Sequence, residues 1–215
     1  MTKHYSECGR IRTDFFIPAD AILGYPDGIV NDPIAAERRL RYIDFSSKLH
    51  AVLGPMLGSK YRLFEGLTVL TSVGLAGPAV RVDCLAVTCI GVFVISQIDW
   101  VGKVDRSVDK DKLQVSTAGA RTELHPCPLR YTAPVVHYLG AILDDVDCPI
   151  ESIAVSDNET CEFGLDISTS FLKLSELHYF FRVKREHYRR SGARFVDIEV
   201  MQKRLLIGCM RVLTT

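Results

Sequence analysis

The chain has 215 residues, with 26 Lys and Arg against 26 Asp and Glu, so its formal charge at pH 7 is zero. That length fits one domain or at most two, and a composition 47% hydrophobic and 24% charged excludes a chain too polar to fold. A balanced charge also excludes the strong basic field that draws a nucleic-acid backbone from a distance, leaving only a local patch for such contacts.

The longest apolar run, Cys84 to Ile95, is a dozen residues, against roughly 20 for a membrane-spanning helix. The N-terminus carries Lys3, Glu7, Arg10, Arg12 and Asp14 where a signal peptide needs an unbroken apolar stretch. The expectation is a cytoplasmic protein without membrane insertion. Seven cysteines (Cys8, Cys84, Cys89, Cys127, Cys148, Cys161 and Cys209) are an odd number without a C-x-x-C pair. They read as buried thiols, not as a disulfide framework or a structural metal site.

Residues 1–31 mix Gly, Pro and short apolar pieces and read as an N-terminal arm. Residues 32–215 read as a single α/β domain with a C-terminal helical extension. Asn31-Asp32-Pro33 opens a helix whose stripe includes Ile34, Leu40, Ile43, Leu49 and Leu53 and which stops near Gly54-Pro55. Leu67 to Val73, Ala79 to Thr88 and Val92 to Ile98 then read as strands. The unbroken apolarity of the last two predicts a hairpin buried on both faces, at the centre of a sheet covered by helices. The charged stretch Lys103 to Lys112 suits an exposed hairpin or edge strand. Ala133 to Leu143 predicts a helix, Ile150 to Val155 a strand, Ser168 to Phe181 a helix followed by a basic segment, and Asp197 to Val212 a last helix. This order indicates an α/β or α+β domain with a mixed sheet.

The stretch from Arg81 to Lys103, RVDCLAVTCIGVFVISQIDWVGK, resembles the core of the nuclease-related domain family, a branch of the restriction-endonuclease-like PD-(D/E)xK superfamily. In that family a strand ending in Ile-Asp leads through a Gly turn into an apolar strand closed by Glu-x-Lys, then an aromatic residue and a Gly. Val82-Asp83, Gly91 to Ile95, Trp100 and Gly102 stand in those places, and Asp83 precedes Ser96 by the thirteen positions found before the family's Glu. Pro128-Leu129 is similar to the segment leading to the family's next helix, around His137. Ile150 to Val155 and Leu174 to Phe181 are similar to its last core strand and helix. The resemblance spans residues 34 to 181. It implies a restriction-endonuclease-like mixed central sheet flanked by helices.

The same resemblance implies lost chemistry. Its nucleases hold divalent cations between carboxylates, with a Lys that positions or deprotonates the attacking water. Here Ser96 occupies the Glu position and Ile98 the Lys position, so Asp83, Ser96 and Ile98 form a vestigial site. Gln97 and Lys103 are the residues that could rescue it, although Gln97 points to the opposite sheet face from Ser96. Asp99 reads as a solvated turn aspartate. The family's Gln after Pro-Leu falls near Arg130 or Tyr131, and Glu37 and Asp44 are the candidate counterparts of its helical Glu. Asp83 is either a leftover metal ligand or a carboxylate that pairs with Arg81 or caps the hairpin.

No H-E-x-x-H, phosphate loop, G-x-G-x-x-G or G-x-S-x-G occurs. Cys127 lies near His125 and His137, but flanking Pro126 and Pro128 favour a structural role. Arg182, Lys184, Arg185, Arg189, Arg190 and Arg194, interleaved with aromatic residues, form a candidate interaction surface for a protein or for nucleic acid. An acidic stretch, Asp144 to Glu162, stands against it. The expectation is a catalytically inactive nuclease-like domain without cofactor that binds another macromolecule, more readily a protein than DNA, as a regulator or inhibitor; an accessory protein of a mobile element is one version. The alternatives are a metal-dependent DNA nuclease with a rearranged active site, requiring Mg or Mn, and a non-catalytic DNA-binding module.

Overall fold

A computed structural model describes residues 33–70, 79–117, 119, 122–192 and 194–213. The expected arm at 1–31 and the end of the strand expected at 67–73 lie outside them. Helix α1, Pro33–Leu57, opens on proline, whose missing N–H costs nothing in a first turn. Phe45, Leu49, Leu53 and Leu57 recur every fourth residue and are buried, which fixes the face turned to the sheet. The helix runs past the expected stop at Gly54-Pro55 and ends where Gly58 adopts φ 59°, its N–H returning to the Gly54 carbonyl at 2.9 Å.

Strands β1 (Tyr61–Leu70), β2 (Ala79–Thr88) and β3 (Gly91–Ile98) form an antiparallel meander. Strand β1 thus begins six residues before its expected start. Three more short strands follow before helix α2, Pro128–Ile142: β4 (Gly102–Arg106), β5 (Lys112–Ser116) and β6 (Glu123–Pro126). Strand β7, Ile150–Ser156, then pairs parallel to β3. Cys161–Phe163 (β8), Phe171–Lys173 (β9) and the helices α3 (Leu174–Arg190) and α4 (Ile198–Leu213) complete the chain.

The principal sheet has the order β1-β2-β3-β7-β9. Val92 and Val94 of β3 face α2 and α4 through Val135, Leu139, Leu143, Met201 and Leu205. Phe93 and Ile95 face α1 and α3 through Phe45, Leu49, Leu177 and Phe181. The β2–β3 hairpin is therefore buried on both sides, and helices cover both faces of a mixed sheet. Helix α4, the expected C-terminal extension, contributes Met201 and Leu205 to this core. Among the described residues no helix is long and apolar enough to cross a membrane.

A second sheet, order β6-β5-β4-β8, packs against the C-terminal end of β3. The charged stretch at 103–112 does form a hairpin, but β4 is an interior strand, paired with both β5 and β8. Val104, Leu113 and Val115 supply a buried face that meets Ile98 and Ala154, while the charged neighbours alternate outward. The helix expected at 168–181 begins instead at Leu174. The three residues before it are drawn into β9 by parallel pairing with Ala154 to Ser156. It also continues to Arg190, so most of the expected basic segment is helical.

The hairpin turn is closed by Thr88, whose Oγ1 donates to the Gly91 carbonyl at 2.8 Å and accepts the Ile90 N–H at 3.2 Å. Gly91 has φ 141°, and a Cβ there would stand 2.6 Å from the Pro149 carbonyl oxygen. That carbonyl accepts the Val92 N–H at 2.8 Å, so it cannot retreat without breaking the entry to β7. Gly91→Ala is expected to cost about 2 kcal/mol or more, read as a lower urea midpoint at unchanged slope.

Candidate functional site

The polar residues of the principal sheet collect where β2 and β3 separate. Ladder pairing holds from Thr88↔Gly91 to Cys84↔Ile95. On β2, Leu85 and Val87 belong to the α2–α4 face, yet so do Val80 and Val82, so the strict alternation of a strand slips by one residue between them. On β1, Phe64 packs against that face while Leu67 and Val69 lie within it, and Gly66 between them has φ 57°. A kink at Gly66 and Asp83 thus keeps both halves of the hairpin on one core. Glycine supplies the left-handed residue that the step requires.

Asp83 sits at this kink. Its Oδ2 accepts the backbone N–H of Gln97 at 2.8 Å, serving that donor where ladder pairing with β2 has ended. The contact ties β2 to β3 just beyond their last ladder pair. The Gln97 side chain turns toward α1, where its Oε1 accepts from Arg41 Nε at 3.2 Å and its Nε2 donates to Asp157 Oδ2, also at 3.2 Å. Asp157 follows β7 directly and is mostly buried. The same oxygen accepts from Lys48 Nζ at 2.9 Å, and Lys48 also reaches Asp44 at 2.7 Å. Arg41 Nη1 completes the chain of contacts with Asp99 at 3.1 Å. Asp99, expected to be a solvated turn residue, is largely exposed but ion-paired.

Arg41, Asp44 and Lys48 share one side of α1 because they are spaced by three and four residues. One network therefore joins α1, the kink in β2 and the ends of β3 and β7. The carboxylates of Asp44, first, and Asp157 hold the Lys48 ammonium above its ordinary pKa range. Lys48 is thus a cation at neutral pH and no base. Its folded-state value exceeds the unfolded one, so its contribution to stability is complete below about pH 10 and is lost as pH rises through the folded value.

Ser96 and Ile98 flank Gln97 on β3 with their side chains in the packed interior. Ser96 is buried beside Ala154 of β7, and Ile98 is packed among Val104, Cys161 and Phe171 at the junction of the two sheets. The structure thus brings Asp83 and Gln97 together and leaves these two out of the polar network. Lys103 lies on β4 and pairs with Asp105 at 3.0 Å. Glu37 belongs to α1, but its side chain is outside the described residues. Arg130 and Tyr131 occupy the first turn of α2, and Tyr131 Oη accepts the Arg81 N–H at 3.3 Å. Arg41, Lys48 and Asp157 are the members of the network that sequence reasoning did not single out. The charged spacing at 41, 44 and 48 was the available signal for the first two.

Among the described residues no group of three or more His, Cys, Asp or Glu side chains is arranged to hold a metal ion. Cys84, Cys89, Cys127, Cys148 and Cys161 are free thiols. Burial pushes Cys148 up to about 11 and raises Cys84, Cys89 and Cys161 as well. All four are protonated at neutral pH, which removes their nucleophilic form.

The six basic residues near the C-terminus divide into two sets. Lys184 reaches Glu151 at 2.6 Å and Arg185 Nη1 donates to the Met56 carbonyl at 2.7 Å in the last turn of α1, while Arg194 is exposed and contributes its backbone carbonyl alone, which accepts from Tyr188 Oη at 2.7 Å. These contacts tie α3 to the rest of the fold. Arg182 lies over the Tyr179 ring, and Arg189 and Arg190 share Glu186, all of them exposed.

Asp83→Ala removes the acceptor for the Gln97 N–H and is expected to cost about 1–3 kcal/mol, whereas Asp83→Asn retains an acceptor oxygen and costs less; paired urea titrations compare the two. Lys48→Met leaves Asp157 with Gln97 as its donor and is expected to cost about 1 kcal/mol, with most of that difference gone when the wild type is titrated above the folded pKa of Lys48. No family model matches the chain, and neither a curated protein nor a solved structure matches it.

Proposed function

We propose that this chain is a catalytically inactive nuclease-like domain that acts by binding another macromolecule, a protein, as a regulator or inhibitor. The order of its principal elements supports the kinship: helix, three antiparallel strands, helix, parallel strand, helix. That is the order implied by the resemblance of the β2–β3 segment to the nuclease-related domain family. The small second sheet is then an insertion between the third strand and the second helix, with β8 added after the fourth principal strand.

One observation carries the loss of catalysis. Asp83, the acidic residue retained from the motif, accepts the Gln97 backbone N–H, while the positions of the family's Glu and Lys hold a hydroxyl and a hydrocarbon, Ser96 and Ile98, both buried. Cleavage of a phosphodiester in this superfamily needs a cation held by carboxylates and an ammonium beside the attacking water. Ile98 cannot supply the latter, because it fills the junction between the sheets.

A second reading, a metal-dependent nuclease with a rearranged site that uses Mg or Mn, draws support from Gln97, which contacts both Asp83 and Asp157. The donor set does not fit a divalent cation. Asp157 Oδ2 already accepts from Gln97 and from the Lys48 ammonium, and Arg41 adds a second cation beside Gln97. Among the described residues no group of three or more His, Cys, Asp or Glu side chains is arranged to hold such an ion.

Supercoiled plasmid incubated with the purified chain and Mg²⁺ or Mn²⁺ separates the two readings. The expected outcome is no nicking above the protein-free control. Nicking that is present in the wild type and absent in Asp83→Ala would overturn the proposal in favour of the nuclease.

A further inference from the structure

The outer stripe of α3 carries Tyr179, Arg182, Val183, Glu186, Arg189 and Arg190 at helical spacing. Tyr179 is 61% exposed and Val183 46% exposed, so two sizeable apolar surfaces stand side by side in solvent on one turn. The Arg182 guanidinium lies 5.2 Å from the centre of the Tyr179 ring, which orients the ring and keeps the cation at its edge of the stripe. One turn on, Arg189 and Arg190 approach the single carboxylate of Glu186 at 3.7 and 3.0 Å. Two guanidiniums thus share one carboxylate while a third lies over the ring, and the stripe keeps a positive excess although the whole chain is neutral.

Resting on the reading that the chain works by binding a protein, we infer that this stripe is a docking face for an acidic polypeptide segment bearing an aromatic or aliphatic anchor. Charge complementarity selects the occupant. The anchor covers Tyr179 and Val183, and its flanking carboxylates meet Arg182 on one side and Arg189 and Arg190 on the other. Nucleic acid is the poorer fit, because Arg182 already occupies one face of the ring on which a base would stack. Tyr and Arg around a small apolar centre are the residue types that dominate protein recognition.

The test uses the full chain and a fluorescently labelled synthetic peptide of repeated Glu-Glu-Leu-Phe units, read by anisotropy at several salt concentrations. Binding is expected, weakening with salt, and falling about tenfold or more in the double variant Arg189→Glu with Arg190→Glu. Tyr179→Ser is expected to weaken it independently, and both variants keep the wild-type circular dichroism because their side chains face solvent. Equal binding of poly-glutamate of the same length would overturn the anchor. Tighter binding of a single-stranded or duplex DNA oligonucleotide would overturn the choice of partner, as would self-association that the double variant abolishes. Peptide binding unaffected by either variant, or none at all, would overturn the docking face itself. Plasmid nicking would sink the underlying reading without altering these titrations, so the two failures are distinguishable.

Discussion

Strand β3 is enclosed by helices on both faces, and most of the fold's organisation follows from that constraint. A strand so placed can carry polar chemistry only where it leaves the core, since a buried polar side chain without partners is costly. From Val92 to Ile95 every side chain is apolar and buried. At Gln97 the enclosure ends, and within a few residues the chain meets Asp83, Asp157, Arg41 and Lys48 in a continuous network. The site's position is therefore a consequence of the sandwich, and any function that this end of the sheet performs must work with those groups.

Their arrangement links three elements through shared donors and acceptors. Asp157 Oδ2 accepts two donors and Lys48 is bound by two carboxylates, which stabilises both charged states. The result is an ionic clasp between α1 and the ends of β3 and β7. Where Lys48 is partly exposed the individual pairs contribute little, yet the mostly buried Asp157 makes the clasp sensitive to removal of any one donor.

The hairpin was legible because its signal is local and dense. Ala79 to Thr88 and Gly91 to Ile98 have too few polar residues to be anything but a doubly buried pair, and the structure gives those limits almost to the residue. The strands β8 and β9 were not legible. Each has three residues and exists through parallel pairing with β4 or β7, a long-range condition that periodicity does not record. The site divides in the same way. Asp83 and Gln97 stood out in the resemblance, Gln97 as a stand-in that its parity relative to Ser96 counted against, and the structure joins the two by one hydrogen bond. Lys48 and Asp157 stand 109 positions apart, so their meeting depends on α1 lying across β7, which neither local sequence encodes. The kink at Gly66 and Asp83 was also hidden, since a lone glycine in a strand signals only that something interrupts the ladder.

Helix α3 shows how composition misleads when it is not resolved into faces. Six basic residues in a short span look like one patch, but a helix distributes neighbours around its circumference. Lys184 turns to Glu151 at the start of β7, and Arg185 supplies a donor to the open carbonyl end of α1, where an unmatched C=O would otherwise face its neighbours. Those two are requirements of packing, and their removal would loosen the α1–α3 layer whether or not the protein has a partner. Among the described residues, Arg182, Arg189 and Arg190 make their contacts with Tyr179 and Glu186 on the same helix. Contacts confined to one surface stripe organise that stripe and nothing beneath it. Pairs that link neighbours on one exposed helix surface contribute little to folding.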